Sequence, residues 1–332
     1  MLNSIYKDKK ILVVGGTGTI GCHLVKRLLK EEPQVIRIFS RDEHKQYEMA
    51  IEFSDHADQL RFLIGDVRDQ QRLGRAMEDI DYVFHLAAMK HVPSCEYNPF
   101  EAVQTNVIGT QNVIQAAIEN NVKKVLFTST DKAISPTNTY GATKLTAERL
   151  ISAAEYQKGS KATIFSSVRF GNVMGSRGSV IPLFKKQIIE NAKITVTDPD
   201  MLRYMMTPSQ AIALILEANI LAQGGEVFVL KMPVIRVGDL AEILIELVNE
   251  KYRLQKKVDV HSMGLRPGEK RYEELMTDDE RLLAEERANM YIIPAMFKKK
   301  QQAAEAVQVS PIEMNPISKD LIKEWVKSEK LV

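Results

Sequence analysis

Up to about residue 170 the chain alternates short apolar runs with amphipathic stretches, and this alternation is what most restricts its fold. The apolar runs are residues 10–14 (KILVV), 35–39 (VIRIF), 61–64 (RFLI), 81–85 (DYVFH), 122–128 (VKKVLFT) and 163–169 (TIFSSVR). Between them, residues 20–31, 42–53, 69–78, 99–120 and 140–157 carry apolar side chains at helical spacing. Strands that alternate with helices form βαβ units, and these build a parallel, doubly wound α/β sheet of Rossmann type. Beyond residue 170 the pattern loosens around Gly171, Gly175, Gly178, Pro182, Pro199 and Pro208, with helices expected at 180–191, 208–222 and 238–250. The expected organisation is a dinucleotide-binding domain over 1–170, a smaller lobe over 171–295 whose elements return to the sheet edge, and a tail over 296–332. Leu321 and Trp325, at helical spacing, predict a tail helix that docks on its own or a neighbouring subunit.

Length and charge remove several classes of function. A chain of 332 residues can bury a sizeable core. Its net charge of +2 gives no strong attraction to nucleic acid or to an anionic membrane. The Lys298–Lys300 run reads as a solvated surface stretch. Cys22 and Cys95 stand far apart in no metal-ligand spacing, so neither a disulfide framework nor a metal site is expected. With a polar N-terminus and no apolar stretch approaching the roughly 18 residues a membrane span needs, the expected location is the cytosol.

The first strand runs into GGTGTIG, which sets Gly15, Gly18 and Gly21 in a G-x-x-G-x-x-G turn ahead of a helix. Glycines let backbone approach a pyrophosphate, and the helix N-terminus presents free N–H groups. Thr17, Thr19 and Ile20 complete that turn. At the end of the second strand, where an acidic residue would read an NAD ribose, stand Ser40 and Arg41. A hydroxyl and a guanidinium suit the 2′-phosphate of NADP, which is favoured over NAD, while Asp42 one residue on keeps NAD open.

Residues 128–144 (TSTDKAISPTNTYGATK) carry two sets of chemistry. Tyr140 and Lys144 share a helix face, preceded by the hydroxyls of Ser129 and Thr130. An ammonium beside a phenol favours the phenolate, so Lys144 is expected to lower the pKa of Tyr140 and let it take a proton from a substrate hydroxyl that Thr130 orients. Asp131 and Lys132 add an acid and an amine, enough for a separate elimination: Lys132 as base if burial lowers its pKa, Asp131 as acid if desolvation keeps it protonated. A solvent-exposed Asp–Lys pair in a loop is the plain alternative. His85, inside an apolar run, reads as a packed core residue.

With these motifs the chain resembles the inverting UDP-N-acetylglucosamine 4,6-dehydratases of the extended short-chain dehydrogenase/reductases, which open pseudaminic acid and related surface-sugar pathways. The resemblance runs from about residue 8 to 295, through SRDEHKQ (40–46), GDVRD (65–69), KHVPSCEYNP (90–99), STDKA (129–133), YGATK (140–144), RFGNVMGSRGSVIP (169–182) and RPGEK (266–270). It implies NADP-dependent oxidation at C4 of the sugar, loss of water across C5–C6, return of hydride to C6 and inversion at C5. It gives catalytic roles to Thr130, Asp131, Lys132, Tyr140 and Lys144, and cofactor contacts to Asp66 and Val67, to Ala87 and Ala88, and to Lys90 near the phosphates. On the UDP-sugar side it implies Lys90, Asn172, Ser179 and Val180, with Arg203 and Arg266 on the diphosphate and Glu269 near the ribose or base. It also implies a homo-oligomer. A UDP-hexose 4-epimerase would use the same tyrosine, lysine and hydroxyl but needs no acid–base pair for C5 and C6, and a nucleotide-sensing regulator would need neither.

Overall fold

The computed structural model describes residues 4–254, 257–265, 268–295 and 314–332. Parallel strands β1 (Lys10–Val14), β2 (Val35–Ser40), β3 (Leu60–Ile64), β4 (Tyr82–His85), β5 (Lys124–Thr128) and β6 (Ile164–Arg169) coincide with the six apolar runs of the sequence. Short strands β7 (Asn172–Val173), β8 (Lys193–Val196), β9 (Leu202–Met206), β10 (Val227–Leu230), β11 (Val234–Arg236), β12 (Asp259–Ser262), β13 (Glu285–Glu286) and β14 (Met290–Ile293) follow. Among the described residues the main sheet has nine strands in the order β13-β14-β10-β6-β5-β4-β1-β2-β3. Strands β1 to β6 and β10 pair in parallel, while β14 runs antiparallel to β10. The chain order reverses between β1 and β4, and in open α/β sheets ligands bind in the crevice at that point.

Helices α1 (Thr19–Leu29), α2 (Glu43–Glu52), α3 (Gln70–Met77), α4 (Val92–Tyr97), α5 (Pro99–Val103), α6 (Gly109–Glu119) and α7 (Thr139–Gln157) fill the crossovers. The amphipathic stretch 99–120 is not one regular α-helix. A π-turn, Gln104–Ile108, joins α5 to α6, and such turns often serve functional sites. Its Asn106 accepts from the Met89 N–H at 2.8 Å and donates to the Met89 carbonyl and the Thr143 hydroxyl, tying the loop after β4 to α7.

Helices α8 (Val180–Asn191), α9 (Pro208–Leu221), α10 (Val237–Tyr252), α11 (Asp278–Leu283) and α12 (Lys319–Ser328) complete the set. Ile181, Phe184, Ile188, Leu240, Leu244 and Val248 from α8 and α10 make a separate apolar cluster. The tail helix α12 packs against α10 of its own chain. It is anchored by buried Ile322 and Val326, with Trp325 only partly covered, so the seam lies one residue beyond the expected Leu321–Trp325 pair. The Lys298–Lys300 run lies outside the described residues. No helix among the described residues is long and apolar enough to cross a membrane.

Candidate active site

The glycine-rich turn lies where β1 meets α1. Gly15 has φ +84°, and a Cβ there would come within 2.7 Å of the Ala87 nitrogen, so only glycine lets the loops after β1 and β4 touch. A Cβ on Gly21 would sit 2.3 Å from the Gly16 oxygen, which keeps α1 hard against the turn. No side chain caps α1, so its first N–H groups, beside Thr17, Gly18 and Thr19, remain available to an anion. Arg177 overhangs this turn: its backbone N–H donates to the Thr19 hydroxyl at 3.1 Å, and its guanidinium donates to the Thr17 carbonyl. A cradle that a Cβ would fill, an uncapped helix start and a nearby guanidinium together fit a dinucleotide.

Ser40, Arg41, Asp66 and Val67 lie along the carboxyl ends of β2 and β3. Arg41 pairs with Asp66 at 3.5 Å, and Asp66 also accepts from Arg68 at 2.7 Å. Partial burial raises the pKa of Asp66, but the hydrogen bonds and charge of Arg68, with Arg41, outweigh that and hold it below the usual carboxylate range. Asp42 caps α2, accepting from the Lys45 N–H at 3.0 Å and pairing with the Lys45 ammonium. Its carboxylate is thereby turned to the helix, leaving Ser40 and Arg41 as the polar pair at the strand end. Gly65 admits no Cβ because it packs on the Phe39 ring.

A cavity of about 440 Å³ opens on the same sheet edge. Ile20, Ala88 and Lys90 line it from the cofactor side, and Ser129, Thr130, Lys132, Tyr140 and Lys144 from the catalytic segment. Asn172, Ser179, Val180, Arg203 and Glu269 line it from the other side. The structure thus brings together residues from six separate stretches of sequence. Ser179 sits at the start of α8 with its buried hydroxyl unmatched, and the Ser129 hydroxyl, just after β5, is also buried and unmatched. Arg266 lies outside the described residues.

The charges on these side chains differ from the expectation at three places. Burial pushes the Tyr140 phenol up to about 12, and the Thr130 hydroxyl and Lys132 ammonium only partly offset it. Lys144 does not supply that offset: burial pushes its pKa down to about 7, and its Nζ donates to the Thr128 carbonyl at 2.6 Å and lies 3.9 Å above the Phe127 ring. Burial opposes the charge on Lys132 too, yet the adjacent carboxylates of Asp131 and Glu273, at 3.0 and 3.3 Å, hold it as an ammonium above the usual lysine range. Lys132 is therefore not the burial-neutralised base expected from sequence.

Asp131 differs as well. It is fully buried and does not line the cavity. Its Oδ1 accepts from the Thr130 hydroxyl at 2.9 Å and from Lys132 at 3.0 Å, so it orients those two groups from behind the cavity wall and does not face a substrate. Arg203, expected on a diphosphate, donates to the carbonyls of Leu202, Lys270 and Arg271 at 2.8–2.9 Å and pairs with Glu269 at 3.5 Å. Its guanidinium mainly fixes the backbone after residue 268. His85 is a core residue, as expected: Nε2 lies 3.0 Å from the Thr110 hydroxyl, and burial drives its pKa down to about 3.

Sequence reasoning missed Glu273, Arg177 and Asn106. Glu273 stands next to Glu274 in a run of charged residues, with nothing local to mark which is buried. Arg177 was within reach, since it sits in the glycine-rich 169–182 run beside residues singled out for substrate.

A parallel sheet in this order, with a glycine-rich first turn and a Thr–Tyr–Lys set at the carboxyl ends of its strands, is the arrangement of the extended short-chain dehydrogenase/reductases. Residues 11–295 match the polysaccharide biosynthesis protein family. A UDP-N-acetylglucosamine 4,6-dehydratase (inverting) of Campylobacter jejuni is 45% identical over 296 residues, 89% of this chain and 85% of the relative. A UDP-glucose 4-epimerase of Rickettsia bellii is 42% identical over 294 residues, 87% of this chain and 84% of the relative. The X-ray structure of Pen from Bacillus thuringiensis, 54% identical, matches with a TM-score of 0.92 over 99% of both chains. The chain belongs to the polysaccharide biosynthesis protein family, is similar to its nucleotide-sugar dehydratases and epimerases, and is an enzyme.

Proposed function

We propose that the protein is an NADP-dependent UDP-N-acetylglucosamine 4,6-dehydratase that inverts C5. The observation that carries this reading is a cavity lined by Thr130, Tyr140, Lys132 and Glu273, with Asp131 paired to Lys132 from behind its wall. A nicotinamide cofactor held at the Gly15–Gly21 turn would supply the hydride chemistry for oxidation at C4 and reduction at C6. Thr130 orients the C4 hydroxyl, and Tyr140 takes its proton, a transfer that the neighbouring Lys132 cation favours. A C4 ketone acidifies the C5 proton, and Lys132, once it has passed its own proton on, is the base for it. Asp131 orients Lys132 from behind.

On the cofactor side, Ser40 and Arg41 support a 2′-phosphate reader. On the substrate side, Asn172, Ser179 and Val180 are the residues for the UDP portion, with Lys90 at the phosphates. The reading extends to a cytosolic homo-oligomer, supported by the free cysteines Cys22 and Cys95 and by the family resemblance.

The test is proton NMR of UDP-N-acetylglucosamine with the protein in D₂O. A C6 methyl signal that loses its coupling as deuterium enters C5, on a ring with inverted C5 couplings, is the expected outcome. The epimerase relative favours a second reading, 4-epimerisation. That reaction leaves the mass of the sugar unchanged and C6 as a methylene, whereas dehydration removes one water.

A further inference from the structure

Two carboxylates flank the Lys132 ammonium, and they stand in different places. Asp131 is fully buried behind the cavity wall, while Glu273 lines the cavity and is only 4% exposed. Glu273 Oε1 lies 3.3 Å from Lys132 Nζ, and its Oε2 is buried without a hydrogen-bond partner. A buried carboxyl oxygen left unmatched beside a reaction cavity is costly unless a substrate group or a proton completes it.

The backbone around Glu273 is held from both sides. Arg203 donates to the carbonyls of Lys270 and Arg271 at 2.8 and 2.9 Å, and Arg169 donates to the Leu275 carbonyl at 2.8 Å. Upstream, Lys270 donates to the Ile134 carbonyl at 2.7 Å, and Thr137 and Asn138 donate to the Gly268 carbonyl at 3.0 Å. Two buried arginines and the loop of the catalytic segment thus fix one glutamate against Lys132.

Resting on the dehydratase reading above, we infer that Glu273 is the catalytic acid that protonates the departing C6 hydroxyl, the role the sequence assigned to Asp131. Its proton comes from Lys132 across the 3.3 Å contact, which leaves a neutral amine and a carboxylic acid side by side. The amine takes the C5 proton, and the C5–H electron pair becomes the C5=C6 bond. The C6–O bond breaks, and the oxygen leaves as water with the proton of Glu273. The cluster gains one proton and loses one, so it returns to ammonium and carboxylate. Desolvation raises the pKa of Glu273, and Asp131 adds to this while Lys132 opposes it, so the side chain is suited to carry a proton.

The experiment compares Glu273→Gln with the unaltered enzyme on UDP-N-acetylglucosamine and on its 6-deoxy-6-fluoro analogue. Fluoride leaves without being protonated. Glutamine also removes one of the two carboxylates that hold the proton on Lys132 against burial, so the amine can shed it to solvent without Glu273, and a defect confined to the native substrate reports the missing acid. The expected result is a kcat lowered by about 10² or more on the native substrate, with KM little changed, and a loss at least tenfold smaller on the fluoro analogue. Equal losses on both substrates, or an unaltered kcat on the native one, would overturn the assignment. If the glutamine variant does not fold, Glu273→Asp is read by the same ratio. Absence of water loss from the native substrate with the unaltered enzyme would instead sink the dehydratase reading itself.

Discussion

The Nζ of Lys144 lies 2.6 Å from the carbonyl oxygen of Thr128, so the lysine of the Y-x-x-x-K pair is hydrogen-bonded to the end of β5 and not to Tyr140. Its pKa is pushed down to about 7 by burial. The unfolded chain, with an ordinary lysine, binds more protons than the native one from about pH 7 to about pH 10. Stability must therefore rise with pH across that window. In urea titrations at about pH 7 and about pH 9.5, the wild type should gain on the order of 2 kcal/mol over Lys144→Met. Parallel curves for the two proteins would mean Lys144 stays charged when folded.

Tyr140, with its pKa raised to about 12 by burial, is a phenol at neutral pH. The rate of the oxidation step should climb with pH above about 7, where proton loss becomes easier. Tyr140→Phe should lower kcat/KM by about 10²–10⁴ and flatten that climb. The absorbance of reduced nicotinamide in a single turnover, followed against pH, checks both.

Lys132→Met separates the two halves of the reaction. Oxidation at C4 should still be visible as transient reduced nicotinamide, while loss of water stops. Because Asp131 and Glu273 are left buried without their cation, thermal unfolding should also come earlier, by a stability loss of about 3–5 kcal/mol. A variant that dehydrates at the wild-type rate would remove Lys132 from the chemistry.

Arg169 is fully buried and places its guanidinium on Glu148 at 2.6 Å, on Glu280 at 2.8 Å and on the Leu275 carbonyl. Arg169→Met strands two carboxylates, and denaturant unfolding should register about 3–5 kcal/mol. If the loss is under 1 kcal/mol, the network is not the tie between β6, α7 and α11 that its geometry indicates.

Arg41→Ala tests cofactor choice. Binding of NADP should weaken at least about tenfold while NAD changes little, as a guanidinium contact to one phosphate is lost. Fluorescence titration with both cofactors checks this, and equal weakening would place Arg41 elsewhere than on the 2′-phosphate.

Features that depend on a few neighbouring residues could be read in advance. The six parallel strands follow from apolar runs, the Gly15 turn from its glycine spacing, and the Thr130–Tyr140–Lys144 set from one short segment. The charge on Lys132 could be read that way only in part, because Asp131 shares the task of holding it with Glu273, and Glu273 is placed by backbone bonds from Arg203 and Arg169. The π-turn at Gln104–Ile108 was hidden for a similar reason. Helical spacing runs on through it, and the three hydrogen bonds that its Asn106 makes reach Met89 and Thr143, far off in sequence.

The clamp that Arg203 and Arg169 place on either side of Glu273 also orders how the molecule matures. Thr130, Tyr140 and Lys144 are in hand once the sixth strand has been made, but Glu273 takes its seat only after the ribosome has added about a hundred further residues. A chain stopped before that point holds the Thr130–Tyr140–Lys144 set but lacks both the carboxylate that faces Lys132 and the wall of the cavity formed by Asn172, Ser179, Arg203 and Glu269.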